Sequence, residues 1–413
     1  MDLPLPARHR EGFLREIDNR SSRAGSAAVG IPSPGALGRG VGAPSGTLVF
    51  INLVGGVDGL SVVVPHADPA YAIRRPALAI SPPGERYGAI DMGRGLGLHP
   101  ALSPLHAMFG RSDHLALICG VGVPDVHGGD RNHLPSREFL HQGGRDEPDG
   151  WATRLLRFEG LGSESVWSFG SAPHAMFDGL ATAMVEQVPV VSVGRHFDES
   201  PPPIDPRNSH VGTLGGSSIE ARWSDASWTA PADRLARGYP EGGLSRSLAA
   251  TADMIRTDPR LRIVAIDHPG YDTHVDQGDG RAGVLTHKLD RLARALTAFW
   301  SDLARTRGTG DGRDPGPVTI ILVSEFGRAI DENDSGGTEH GRGGVAIVLG
   351  DQVVGGIHGD MPSLADDEVW PVTVDVRRVL ADAAASHGFR PWRGGVFQQL
   401  PLPNRSLGLL LSP

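Results

Sequence analysis

The chain has 413 residues, enough for one large core or two medium domains, and 39% hydrophobic with 21% charged residues is a globular composition. A net charge of -9 gives a nucleic-acid backbone no general attraction, and no apolar run approaches the ~20 residues that span a bilayer. The lone Cys119 excludes an intrachain disulfide and a cysteine-based zinc site, so any metal must be held by His and carboxylate groups.

In chain order, residues 1–45 are rich in Gly, Pro, Ser and Arg and read as a flexible segment. Arg8-His-Arg-Glu-Gly-Phe-Leu-Arg15 is followed by polar residues rather than an apolar stretch, which predicts a cytoplasmic protein. From residue 46 the chain reads as a single α/β domain. Leu48–Val54 is a predicted central strand that stops at Gly55, Gly56, Asp58 and Gly59. Gly97–Leu105 leads into a short helix, with His99 structural beside Pro100. Leu115–Val121 is a second strand, with Cys119 a buried small hydrophobe. Asp125, His127, Asp130, Arg131, Asn132 and His133 crowd the segment after it, a polar density that points to function.

Asp149–Leu156 reads as a helix anchored by Trp151, and Pro189–Val193 as a third strand. The composition then shifts at about 195–240, where Pro201–Pro203, Trp223 and Trp228 suggest an insertion or cap. Arg260–Ile266 is a fourth strand, ending in a run that holds Asp267, His268, Asp272, His274 and Asp276. Leu289, Leu292, Ala293, Leu296, Phe299 and Leu303 fall on one face of a helix over 287–305. The strand Val318–Val323 follows, and the strand–helix–strand order predicts a parallel crossover. That strand stops at Ser324, Glu325 and Arg328, and a Gly-rich loop then carries His340. Gly344–Leu349 is a further strand and 374–387 a last amphipathic helix.

Parallel strands share one carboxyl edge, so Asp58, the 125–133 group, the 267–276 group and Glu325 with His340 should meet there. Gathering Asp, Glu and His at one edge suits one or two divalent cations. Arg131, Arg328 and Arg342 are guanidinium forks for an anionic phosphoryl or sulfuryl group.

Gly55-Gly-Val-Asp-Gly-Leu60, Leu98-His-Pro-Ala-Leu102, Asp130-Arg-Asn-His133, Gly150-Trp151, Tyr271-Asp-Thr-His274, Ser324-Glu-Phe-Gly-Arg328 and Thr338-Glu-His-Gly-Arg-Gly-Gly344 together resemble the motifs of the DUF1501 family. The resemblance implies an alkaline-phosphatase-like α/β fold, a central mostly parallel sheet with helices on both faces. It also implies a metal-dependent hydrolase or transferase of phosphate or sulfate esters, acting on a small anionic ester, with neither nucleic acid nor membrane as partner. On this resemblance Asp58, Asp272, His274, Glu325 and His340 hold the metal: zinc, manganese, magnesium or calcium. Arg131, Asn132, His133 and Arg328 form the catalytic group. Many relatives have Ser where this chain has Asn132, and a carboxamide cannot form the covalent intermediate. Ser136, Thr273 or a water would then attack. The alternative is an accessory or biosynthetic metal-binding protein of the same fold that has lost the nucleophile.

Overall fold

Strand β1 (Thr47–Val54) is central because its side chains are apolar on both faces, and it pairs in parallel with β5 (Ile263–Pro269) and β6 (Val318–Val323). The computed structural model describes residues 44–109, 114–124, 131–144, 146–170, 174–180, 190–191, 231–306, 316–393, 395–397, 400 and 407. The segment expected to be flexible up to residue 43, Asp125, His127 and Asp130, and the expected insertion up to residue 230 lie outside these residues.

Labelling the other main strands in chain order gives β2 (Leu115–Gly122), β3 (Val166–Phe169), β4 (Val190–Val191), β7 (Gly344–Gly350), β8 (Gly356–Gly359) and β9 (Val374–Asp375). The sheet order is β8-β2-β7-β6-β1-β5-β3-β4, with β9 also pairing β2. Strand β7 pairs antiparallel with both β2 and β6, and the other pairings of this sheet are parallel. Consequently β1, β2, β5 and β6 all run the same way. The reversed strand β7 begins where they end, so the loop before it, which holds His340, reaches the shared carboxyl edge.

The helices follow from sheet alternation. Val49, Ile51 and Leu53 of β1 pack in one apolar cluster with Leu248 of α4 (Gly243–Thr257) and Leu289 and Leu296 of α5 (Val284–Thr306). Leu48 and Phe50 point the other way. They pack with Phe139 of α2 (His133–Gln142), Trp151 of α3 (Trp151–Glu159) and Leu380 of α6 (Val376–Ser386). A short helix, α1 (Ser103–Phe109), joins the first cluster through Leu105. Each fully buried large side chain contributes about 1.5–3 kcal/mol relative to exposure, which makes this two-sided core the main stabilising term. The helix α5 joins β5 to β6 across β1, as the strand–helix–strand order predicts. The fold class is therefore α/β, a mostly parallel sheet covered on both faces. Among the described residues no helix is long and apolar enough to cross a membrane.

Candidate metal centre

The carboxyl edge is drawn together at Gly55. This residue follows β1 with φ of +119°, and a Cβ there would fall 2.3 Å from the Asp272 amide nitrogen. Only glycine allows the turn after β1 to lie against the loop after β5. The Gly55 N–H then donates to both Glu325 oxygens, at 3.1 and 3.2 Å, which ties in the end of β6. Ser324 fastens the same junction: its Oγ donates to the Leu53 carbonyl and accepts from the Val57 N–H.

Three imidazoles surround the Asp272 carboxylate, and each commits its Nδ1–H to an acceptor. His133 Nδ1 lies 2.9 Å from Glu325 Oε1, His274 Nδ1 3.2 Å from Glu339 Oε2, and His340 Nδ1 2.8 Å from the Arg131 carbonyl. A carbonyl or ionised carboxylate can only accept, so these partners assign the proton to Nδ1 in every ring. In the neutral rings the Nε2 atoms then carry the lone pairs, and they face Asp272. His340 Nε2 is 3.1 Å and His274 Nε2 3.0 Å from Asp272 Oδ1, with 3.0 Å between the two nitrogens. His133 Nε2 is 3.4 Å from Asp272 Oδ2. Lone pairs facing lone pairs repel unless positive charge sits among them. Ligands of a tetrahedral ion at ~2.0–2.1 Å are about 3.3 Å from one another, close to the spacing among Asp272 Oδ1, His274 Nε2 and His340 Nε2. One ligand atom each of His133, Asp272 and His340 lie mutually within 4.8 Å.

The rings are held in place from behind. Phe326 packs against His133 and His340, with centroids 4.9 and 4.6 Å apart. Arg328 Nη1 donates to Asp272 Oδ1 at 2.9 Å, while its Nε donates to Thr338 Oγ1. Burial would raise the Asp272 carboxyl, but the Arg328 charge, hydrogen bonds from His340 and Arg328, and the nearby His274 outweigh it and hold it below the usual carboxylate range. Its side chain remains 44% exposed, so the centre opens to solvent on that side.

The other expected site residues lie in different surroundings. Asp58 is buried away from the cluster, its oxygens taken by Arg75 Nη1 (2.5 Å) and Nη2 (3.1 Å), Ser61 Oγ (2.6 Å) and Gln277 Nε2 (2.7 Å). Burial would raise its carboxyl, and Arg75 together with these hydrogen bonds lowers it. Glu325 lies behind His133 as the carboxylate that orients it, rather than within the cluster, and His133 takes the position expected of a ligand. Asn132 caps α2, its side chain accepting from the Leu134 N–H, as a helix N-terminus favours. Arg328 has no exposed side-chain surface and is occupied by Asp272 and Thr338. Arg131 is exposed and contributes its carbonyl. Arg342 is half-buried. Ser136 is buried, and the buried Thr273 hydroxyl donates to Gln277 Oε1 at 2.7 Å. Of the acidic run, Asp272 and His274 reach the cluster. Asp267 instead accepts from Asn52 Nδ2 at 2.9 Å, and burial lowers His268 to about 3.

Arg75, Gln277, Thr338 and Glu339 support the centre; sequence reasoning gave none of them a role, although Thr338 and Glu339 stand in a quoted motif. No spacing marks Gln277 or Thr338. The Glu339-His340 adjacency was visible, and only the His274 pairing gives it meaning.

A family model described as "Protein of unknown function (DUF1501)" matches residues 245–393, which include Asp272, His274, Glu325, Arg328 and His340. No curated protein matches the chain. Among solved structures it is similar to the C-terminal periplasmic domain of EcEptC from Escherichia coli, in complex with Zn, at 10% identity and a TM-score of 0.41, covering 88% of this chain and 89% of that one. It is also similar to the soluble domain of lipooligosaccharide phosphoethanolamine transferase A from Neisseria meningitidis, at 10% identity and a TM-score of 0.38, covering 86% and 91%. These likenesses are loose, and the chemistry of the centre rests on its own residues.

Proposed function

We infer that this chain is a metal-dependent enzyme that hydrolyses or transfers phosphate or sulfate esters. The observation that carries this reading is the convergence of the His133, His274 and His340 Nε2 atoms on the Asp272 carboxylate. Three nitrogens and one oxygen suit zinc or another transition-metal ion, whereas magnesium and calcium take oxygen ligands. A bound ion would supply Lewis acidity toward the oxygens of the ester.

The chain's own groups orient and close the centre. Glu325 fixes the His133 ring, and Arg328 fixes Asp272 and offsets its charge. Asn132 bears no hydroxyl, and the Thr273 hydroxyl is spent on Gln277. The attacking oxygen is therefore that of water or of an acceptor alcohol. A new bond forms from it to phosphorus or sulfur, its proton is released, and the bond to the leaving alcohol breaks as that alcohol is protonated.

The test begins with the purified chain stripped by chelator and reloaded with zinc, manganese, magnesium or calcium in turn. We expect a transition-metal ion to be retained by the unaltered protein and lost from His133→Ala and Asp272→Asn. Turnover of an aryl phosphate, a phosphodiester or an aryl sulfate should return with that ion. A protein that takes up none of the ions and stays inert with all of them overturns the reading.

A further inference from the structure

We propose that Arg137 is the oxyanion-binding residue of the centre, the group that grips the tetrahedral phosphate or sulfate head of the substrate. The inference rests on the metal-centre reading and adds to it the anion subsite. Arg137 stands one helical turn beyond His133 on α2, on the same face, because positions i and i+4 of a helix lie one above the other. Its Nη2 lies 3.5 Å from Glu325 Oε1, the oxygen that also takes the His133 Nδ1–H. The guanidinium is therefore one carboxylate oxygen away from a ring of the cluster.

Arg137 combines a buried donor left unmet with a guanidinium that solvent still reaches. Its side chain is 37% exposed, it makes no hydrogen bond among the described residues, and its buried Nε has no partner. A buried donor left unmet is costly, so a guanidinium held this way beside a polar centre is short of an acceptor. Of the other cations here, Arg131 is exposed, and Arg328, Arg75 and Arg74 are paired, although the fully buried Arg328 keeps its Nη2 without a partner. Arg328 is committed to Asp272 and Thr338, and Arg75 to Asp58 and the Ile330 and Ala329 carbonyls. Arg74 pairs with Asp331. Glu325 offers Arg137 only a long contact, because its oxygens already accept from Gly55 and His133. A planar fork with open terminal nitrogens matches two oxygens of a phosphate or sulfate, which a lysine could meet only as a point charge.

The experiment measures binding of inorganic phosphate, sulfate and acetate to the full chain by calorimetry, with zinc loaded and again after chelation. The proteins compared are unaltered, Arg137→Gln, Arg137→Lys and, as a control, Arg294→Ala, whose guanidinium pairs with Asp290 on the exposed face of α5. Losing the fork should weaken phosphate or sulfate about tenfold or more in Arg137→Gln, given the strength of hydrogen bonds to charged groups. Arg137→Lys should fall between, and Arg294→Ala should stay close to the unaltered protein. Zinc content should be the same in all four, which separates anion binding from collapse of the centre. Phosphate and sulfate affinity that survives in folded, zinc-loaded Arg137→Gln overturns the proposal. So does an unaltered protein that binds neither anion, or binds acetate as tightly. Failure to bind zinc strikes the metal-centre reading, whereas the chelated protein still reports on Arg137.

Discussion

Glu325→Gln tests whether the carboxylate behind His133 tunes the centre. The substitution keeps the shape and an oxygen that can accept from His133 Nδ1, but removes the charge that makes the 2.9 Å bond charge-assisted. Residues that orient a metal-ligating histidine in this way typically change metal affinity by about 10–100-fold when replaced. At about 1.4 kcal/mol per tenfold step, this is roughly 1.4–2.8 kcal/mol of binding free energy. The Gly55 N–H retains an acceptor, so the turn after β1 should hold. The assay is competition for zinc against a chromophoric chelator, with circular dichroism as a check on folding. We expect weaker binding than in the unaltered protein and tighter binding than in His133→Ala. Unchanged zinc affinity in Glu325→Gln refutes the orienting role, and a loss equal to that of His133→Ala would mean that Glu325 is itself a ligand.

Removing Asp58 by Asp58→Asn should destabilise the fold by about 3–5 kcal/mol at neutral pH, because it leaves the buried Arg75 uncompensated. Since the folded Asp58 carboxyl is depressed, its contribution is full above the unfolded value of about 3.9 and is lost as pH falls further. The difference from the unaltered protein in urea unfolding should therefore narrow in acid, and a pH-independent difference would contradict the assignment. His99 and His387 are lowered by burial to about 4, so the unfolded chain takes up protons before the folded one does. Stability should fall between pH 6.5 and about 4 from this cause, with the sign opposite to that of a paired histidine. His99→Asn, which can still cap the turn through an oxygen as His99 does for the Ala101 N–H, should flatten that decline in thermal unfolding scans. An unaltered slope would remove His99 from the account.

Much of the scaffold was legible because the strands are written in uninterrupted apolar runs. Leu48–Val54 and Val318–Val323 need no tertiary information to be recognised, and the one-sided pattern of α5 separates them. The meeting of strand ends at one edge followed from their shared direction. The reversal of β7 was not legible, since Val345–Leu349 carries no mark of direction, yet it is what delivers His340. The misplacement of Asp58 has a similar cause. A carboxylate after a strand looks the same whether it faces solvent or an arginine, and Arg75, 17 residues on, reads as loop punctuation. The exchange of roles between Glu325 and His133 depends on a contact across 192 residues of chain, which no local spacing reveals.

The two aspartates expected to share one site instead stand at opposite ends of one hydrogen-bonded path. Arg328 donates through Nη1 to Asp272 and through Nε to Thr338, whose hydroxyl donates to Gln277 Oε1. Gln277 Nε2 then donates to Asp58. Because Oε1 must accept from Thr338 and Thr273 while Nε2 must donate to a carboxylate, the Gln277 amide has one allowed orientation. The path is therefore rigid from the closed end to the open one. At Asp58 the charge is saturated by Arg75, Ser61 and Gln277 and shut away from water. At Asp272 the same path ends in a carboxylate that is partly exposed and ringed by three imidazole lone pairs. Burying one charge with all its partners lets the fold hold the other in a fixed direction without filling it. A ligand can compete for Asp272 and cannot compete for Asp58, so the proposed chemistry is assigned to the second aspartate, while the first serves the fold.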